Sequence, residues 1–330
     1  MTTYKGINGF AVQSVASDPS PSNEGQVWYN NATYAFKLAA VTTAGAWATS
    51  TPVNVGRNNA GSAGISTAAL FFGGGPPAIG NTETWDGTSW SEVNNLNNAR
   101  YSFGGAGINT SALAFGGENG TPPAVLAESW NGTSWTNVSN INTGRYELKG
   151  VGNSNSAVVI FGGQSATPPY PYVGNTENWN GSAWTELNDM NTARGGMGAA
   201  GINNSALAFS GLTSPYPNVV ANNESWNGTN WTEVNDVNTA RGDASSTGTQ
   251  TSALFYAGRN PSSSALTEEW NGTSWTETTN LSTARANGIK SGAGSNNSNA
   301  LMAGGTPPNT AATEEWTGAG SPVTKTVTVS

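Results

Sequence analysis

Glu128 to Trp135 reads ESWNGTSW, and ten residues beyond the second tryptophan stands Arg145. From that arginine the chain runs through RYELKGVGNS and then SAVVIFGG, an apolar run that ends in Gly162 and Gly163. The same wording recurs six times. The first tryptophan of each copy is Trp85, Trp130, Trp179, Trp226, Trp270 or Trp316, at steps of 45, 49, 47, 44 and 46 residues. Glu83, Glu128, Glu177, Glu224, Glu268 and Glu314 each precede it by two positions. The second tryptophans Trp90, Trp135, Trp184, Trp231 and Trp275 each stand ten residues before Arg100, Arg145, Arg194, Arg241 or Arg285. The sixth copy lacks its second tryptophan.

A fixed period of 40–50 residues is the mark of a β-propeller or similar array, in which no repeat buries its apolar face alone. Each repeat divides into four strands. The segments that begin at the arginines, such as RYSFGGAGIN at Arg100 and RGGMGAAGIN at Arg194, are rich in Gly and Ala. Gly weakens a strand, so its recurrence asks for a steric reason. Inner strands converging on an axis supply one. The runs TAALFFGG, SALAFGG, SAVVIFGG, SALAFSG, SALFYAG and NALMAGG read as second strands buried on both faces. Strand three ends at the first tryptophan and strand four starts at the second. Asn-Gly between them predicts a hairpin, by the positive φ that a type I′ turn requires. Six Glu and six Arg in fixed register predict a repeated, partly buried ion pair, with a ligand-binding ring of charge as the alternative.

Trp47 stands ten residues before Arg57, so it too opens an outer strand. If the C-terminal VTKTVTVS (Val323–Ser330) completes the sixth blade, Trp47 belongs to a seventh, irregular blade built from residues 1–56. Seven blades are expected on this count. The alternative is six, with the Trp47 strand closing the last blade and the rest of 1–56 projecting as an attachment arm. The six repeats then span 57–99, 100–144, 145–193, 194–240, 241–284 and 285–330.

Composition narrows the chemistry. Charged residues make up 10%, and the net charge of −8 offers no basic patch for phosphates. Nucleic acid is therefore not an expected partner. The chain has no Cys and no His, which excludes disulfides, thiolate nucleophiles, Cys/His zinc sites and His-based triads. No cofactor or metal is expected. The first 25 residues carry no signal-peptide pattern, and no apolar run approaches membrane-spanning length. A glycosidase would need a carboxylate pair; many of the Glu are explained by the repeat, and leftovers such as Glu147 and Asp243 form no recognisable pair.

The layout resembles kelch-type propeller repeats from Arg57 onward, in its Arg, its Gly-Gly strand end and its Trp opening strand four. It departs in having Trp where kelch usually has Tyr, and in a shorter hairpin. Copper-radical oxidases of kelch type use His, Tyr and Cys, so that activity does not carry over. WDGTSW at Trp85–Trp90 faintly resembles the Asp-box of sialidases, but its spacing differs and most copies have Asn, so it reads as a turn. The stretch SDPSPSNEGQVWYNNATYAFKLA (Ser17–Ala39) resembles a module near the start of many bacteriophage appendage and tail-fibre proteins. Together these resemblances imply a non-enzymatic virion protein. Its implied partners are other virion proteins, a host surface glycan or protein, and further copies of itself. A capsid decoration protein and a bacterial lectin-like or enzymatic propeller are the alternatives.

The loops from strand two to strand three differ between copies and are Pro-rich, for example GPPAIGN, QSATPPYPYVGN and LTSPYPNVVANN. Variable loops on a repeated scaffold are where specificity can live. Pro76, Pro77, Tyr170, Tyr172, Tyr216 and Pro217 are the candidate contacts; the alternative is that proline merely stiffens exposed loops. The paired indoles belong to the scaffold. Trp179→Ala is expected to cost about 3–5 kcal/mol in a denaturant melt, the usual loss for a large buried aromatic; an unchanged melt would place the indole on the surface.

Overall fold

The computed structural model describes residues 12–19, 26–41, 44–120, 124–288, 293–319 and 322–327. Among them there are strands and turns and no helix. The chain forms two compact units, Ala46–Trp316 and Met1–Gly45 with Thr317–Ser330.

The larger unit contains six four-stranded antiparallel sheets among the described residues. In the first, Gly61–Ile65 is the inner strand, followed outward by Ala68–Phe72, Thr82–Trp85 and Trp90–Val93. The other inner strands are Gly104–Ile108, Lys149–Ser154, Gly198–Ile202, Ser245–Thr249 and Ala293–Asn296. Each inner strand touches the next, and the last touches the first, so the sheets are blades of a closed ring. The sixth blade takes its outer strand, Ala46–Ser50, from the start of the unit, beside Thr313–Thr317.

This closure corrects the expectation of seven blades in favour of the six-blade alternative. Trp47 occupies the place of the missing second tryptophan of the sixth repeat. Its ring lies 5.5 Å from Trp316, against 5.2 Å for Trp85 and Trp90 within one repeat. Its indole N–H reaches Thr267 Oγ1 of the preceding blade at 3.0 Å, as Trp135 reaches Thr82 and Trp231 reaches Thr176. The C-terminal strand Pro322–Val327 does not complete the sixth blade. It pairs with Ala35–Val41 in the smaller unit, whose sheet also holds Gln13–Val15 and Val27–Asn30. Residues 328–330 of the expected strand lie outside the described residues. In that sheet Asp18 Oδ1 accepts from the buried Trp28 indole at 2.9 Å and from Asn30 Nδ2 at 2.7 Å.

Aromatics join neighbouring blades. The last residue of a second strand meets the outer tryptophan of the next blade: Phe72 with Trp135, Phe161 with Trp231 and Phe209 with Trp275 lie 4.8 Å apart, and Tyr256 with Trp47 lie 4.9 Å apart. These rings give the small inner-strand residues a reason beyond convergence on an axis. A Cβ on Gly104 would fall 2.0 Å from the ring of Phe115, and one on Gly198 would fall 2.1 Å from that of Phe209.

The tryptophan hairpin also differs from the expected two-residue turn. Trp130 pairs directly with Trp135 across a four-residue loop, and only Gly132 in it has positive φ, at 92°. Asn131 supplies the turn with its side chain, Oδ1 accepting from the N–H groups of Thr133 and Ser134 at 2.9 Å each. An Asx side chain can replace a backbone turn in this way.

A second cycle closes the ring at the backbone level. The residue two positions after each repeat arginine has positive φ: Asn59, Ser102, Glu147, Gly196, Asp243 and Asn287, at 52° to 57°. Each donates its N–H to the carbonyl of its counterpart in the preceding blade, at 2.7–2.9 Å, and Asn59 donates to Asn287. Six members complete the circle. The fragment 46–316 is therefore expected to fold as a monomer with one cooperative melt. The fragment 52–316 lacks the outer strand of the sixth blade, leaves edges unpaired and is expected to aggregate. Equal behaviour of the two fragments in size-exclusion chromatography would contradict closure by Ala46–Ser50.

Candidate functional site

The repeated charged residues are consumed by the scaffold. Arg57–Glu83, Arg100–Glu128, Arg145–Glu177, Arg194–Glu224, Arg241–Glu268 and Arg285–Glu314 are ion pairs of 2.5–2.8 Å. All twelve side chains are buried. Burial pulls each arginine below its ordinary pKa, and the facing glutamate opposes that pull. The other carboxylate oxygen holds the connection arriving from the preceding blade: Asn54, Asn97, Asn142, Asn191, Asn238 and Ser282 donate their N–H groups to it at 2.7–2.8 Å. A buried ion pair is a weak source of stability unless its remaining polar atoms are satisfied. Here the carboxylates are. The alternative of a charged ring open to a ligand is thereby excluded.

The first tryptophans are equally committed. Trp85, Trp130, Trp179, Trp226, Trp270 and Trp316 donate to carbonyls in the turn between inner and second strands of their own blade, at 2.8–3.2 Å. The outer Trp90, Trp135, Trp184, Trp231 and Trp275 are buried between blades.

The loops after the second strands share a face with the segments entering the inner strands. Backbone bridges join Tyr101 to Glu118, Gly195 to Leu212, Gly242 to Arg259 and Ala286 to Thr306, and Tyr146 pairs with Gln164. On this face Tyr170 is 47% exposed and Tyr216 57% exposed, and Pro76, Pro77 and Pro217 are exposed. Tyr172 differs from the expectation of a surface contact. It is buried, with its ring over Gly195, and its hydroxyl donates to Glu147 Oε2 at 3.4 Å. Asp243, whose charge acts on the Tyr172 phenol, accepts through Oδ2 from Arg259 Nη2 at 2.6 Å and Nε at 2.7 Å. The Arg259 guanidinium lies 5.7 Å from the centre of the Tyr216 ring. Pro76 and Pro77 lie in a loop of the first blade whose Gly75 N–H donates to Asn58 O.

Electrostatics follow from this half-buried setting. Burial, then Glu118 and Glu147, push the Tyr146 phenol up to about 12. Burial, then Glu147 and Asp243, raise Tyr172 as well. Burial also raises Glu118, partly offset by its hydrogen bond from Tyr101. For Arg259, burial works against the charge, but Asp243 and Tyr216 together outweigh it and hold the guanidinium above its ordinary pKa.

Sequence reasoning missed Tyr101, Glu118, Tyr146 and Arg259, and left Glu147 and Asp243 without partners. The signal was available in register: Tyr101 and Tyr146 stand one residue after a repeat arginine, and Glu147 and Asp243 stand two after. A separate cavity of about 320 Å³ lies between the inner strands, lined chiefly by glycine, alanine and backbone, with Ile65 and Ile108 exposed at its turn end.

No protein-family model matches the chain, and no curated protein matches its sequence. Many solved chains are similar in structure. One is YjhT, a β-propeller-like fold, with a TM-score of 0.64 and 14% identity, covering 83% of this chain and 95% of that one. At this identity the likeness shows the fold alone. The chain has an all-β, propeller-like fold.

An alkaline titration tests the tyrosine cluster. The folded Tyr146 pKa of about 12 exceeds the ordinary 10.0, so the native state holds its phenolic proton longer than the unfolded chain does. Its contribution is complete below pH 10 and is lost as pH rises toward 12. Tyr146→Phe is expected to flatten that part of the stability profile, followed by denaturant melts and tyrosinate absorbance.

Proposed function

We propose that this chain is a kelch-like propeller carried on a bacteriophage particle, where it acts as a non-enzymatic binding protein. The face bearing the variable loops meets a target on the host surface, and the unit formed by the two chain ends joins the propeller to other virion proteins. One observation carries the binding half of this reading. The repeated Arg, Glu and Trp side chains are spent inside the scaffold, whereas exposed tyrosine and proline gather on the face where the repeats diverge. Loops on a rigid scaffold are the usual seat of recognition, and tyrosine offers rigid area with a polar tip. The kelch-like spacing from Arg57 onward and the appendage-like stretch Ser17–Ala39 support the virion half. Many copies on one particle would multiply a weak single contact.

The test uses beads coated with the 330-residue protein or with a Tyr170→Ala, Tyr216→Ala variant. The unaltered protein is expected to hold the beads to host cells, and the variant to lose most of that adhesion. Equal adhesion sinks the loop-face assignment. Docking to a capsid lattice without adhesion to cells would make the chain a decoration protein.

A further inference from the structure

We infer that Asn131, Asn180, Asn227 and Asn271, which lead four of the tryptophan hairpins, are sites of spontaneous deamidation in the folded protein, and that the fold accepts the aspartates they become. The inference is independent of the virion reading. Each asparagine is exposed and is followed by Gly132, Gly181, Gly228 or Gly272, which has no side chain to crowd its nitrogen. These glycines share one backbone conformation, with φ of 91° to 93°.

The reaction lies within the Asn-Gly pair. The glycine nitrogen, losing its proton to base, attacks the asparagine Cγ. A C–N bond forms, the Cγ–Nδ2 bond breaks, and the proton returns to Nδ2, which leaves as ammonia. Water then opens the cyclic imide at either carbonyl, giving aspartate or its isoaspartyl isomer. No oxidant or cofactor takes part. Each event exchanges NH for O, adding about 1 Da and one negative charge.

Two features of the hairpins serve this chemistry. The first is the setting of Oδ1, where negative charge develops during the attack. Thr133 and Ser134 donate their N–H groups to Asn131 Oδ1 at 2.9 Å each. Ser182 and Ala183 hold Asn180 Oδ1 in the same way, Thr229 and Asn230 hold that of Asn227, and Thr273 and Ser274 hold that of Asn271, all at 2.9 Å. Donors already aimed at a developing oxyanion are a large aid to attack on a carbonyl. The second is the nucleophile. Among the described residues, none of the four glycine N–H groups donates a hydrogen bond, so each is open to base. Asn30 supplies the contrast. Its Oδ1 accepts from the N–H groups of Ala32 and Thr33 at 3.0 Å, but it is buried, and the next N–H, that of Asn31, is committed to Val15 O at 2.8 Å.

The first blade already shows the product. Asp86 leads its hairpin, Gly87 follows with φ of 93°, and Asp86 Oδ1 accepts from the N–H groups of Thr88 and Ser89 at 2.8 Å each. Aspartate therefore makes the same turn and leaves an added charge at the surface. Isoaspartate does not. It adds a methylene to the main chain between Trp130 and Trp135, which pair directly, and displaces the Thr133 carbonyl that Asn94 of the preceding blade holds at 2.8 Å.

The 330-residue protein is incubated in mildly alkaline buffer, folded and in urea, and mapped by peptide mass spectrometry. Mapping separates the four hairpin sites from Asn30 and from Asn8, Asn119 and Asn287, which also precede glycine. In the folded protein the four sites are expected to gain the mass of deamidation at least as fast as in urea, and faster as pH rises. Asn30 is expected to stay unmodified. No gain at the four sites while the protein is folded, or a rate far below that in urea, overturns the inference. Conversion of Asn30 at the same rate overturns the part assigned to the free glycine nitrogen. A variant carrying Asn131→Asp, Asn180→Asp, Asn227→Asp and Asn271→Asp tests the product. It is expected to melt at the midpoint of the unaltered protein, and a clearly lower midpoint would show that the fold does not accept the aspartates.

Discussion

Closure of the ring is the constraint on which the rest depends. A four-stranded sheet has two edges and two faces, and an isolated blade could satisfy neither. The six inner strands meet in sequence, and just before them six positive-φ residues pass hydrogen bonds from blade to blade until Asn59 donates to Asn287. Five of the six are not glycine, so five blades accept the cost of a left-handed backbone to keep this cycle. The requirement is geometric and indifferent to side chain, and Asn, Ser, Glu, Gly and Asp therefore share the position. A position that the backbone needs and the side chain is free to vary can carry recognition chemistry. Glu147 and Asp243 stand at two of these places, beside the tyrosine cluster.

The same economy appears in the repeated ion pairs. Each glutamate binds an arginine with one oxygen and the arriving connection with the other. It fixes the angle at which one blade hands the chain to the next. Removing one partner would strand a buried charge, at a cost of about 3–5 kcal/mol. The indoles outside this node set the spacing between blades. With backbone, charge and aromatic contacts all satisfied by residues that repeat, the loops after the second strands are released from structural duty, and they differ in length and composition from copy to copy.

Much of this was legible in the chain. The period, the Gly-Gly strand ends and the tryptophan pairs announced four-stranded blades, because a repeated contact leaves a repeated residue. The Glu–Arg register announced the ion pairs for the same reason. The turn was misread in detail: Asn-Gly signals a tight turn, but the Asn131 side chain bonds Thr133 and Ser134 and so accommodates four residues between the tryptophans. Tyr172 was misread as exposed because its burial depends on a missing side chain in another blade, at Gly195.

The sequence by itself determined the blade, since each blade is made by contacts within about 45 residues that recur in register. It determined which side chains belong to the scaffold, by their repetition. The number of blades was left to the tertiary structure, because Trp47 and Val323–Ser330 were both plausible outer strands and only the pairing of Ala46–Ser50 with Thr313–Thr317 chooses between them. The cluster of Tyr101, Tyr146, Tyr172, Tyr216, Glu147, Asp243 and Arg259 was also left to it. Those residues come from several blades and recur in two copies at most, so their meeting is a consequence of the ring having closed.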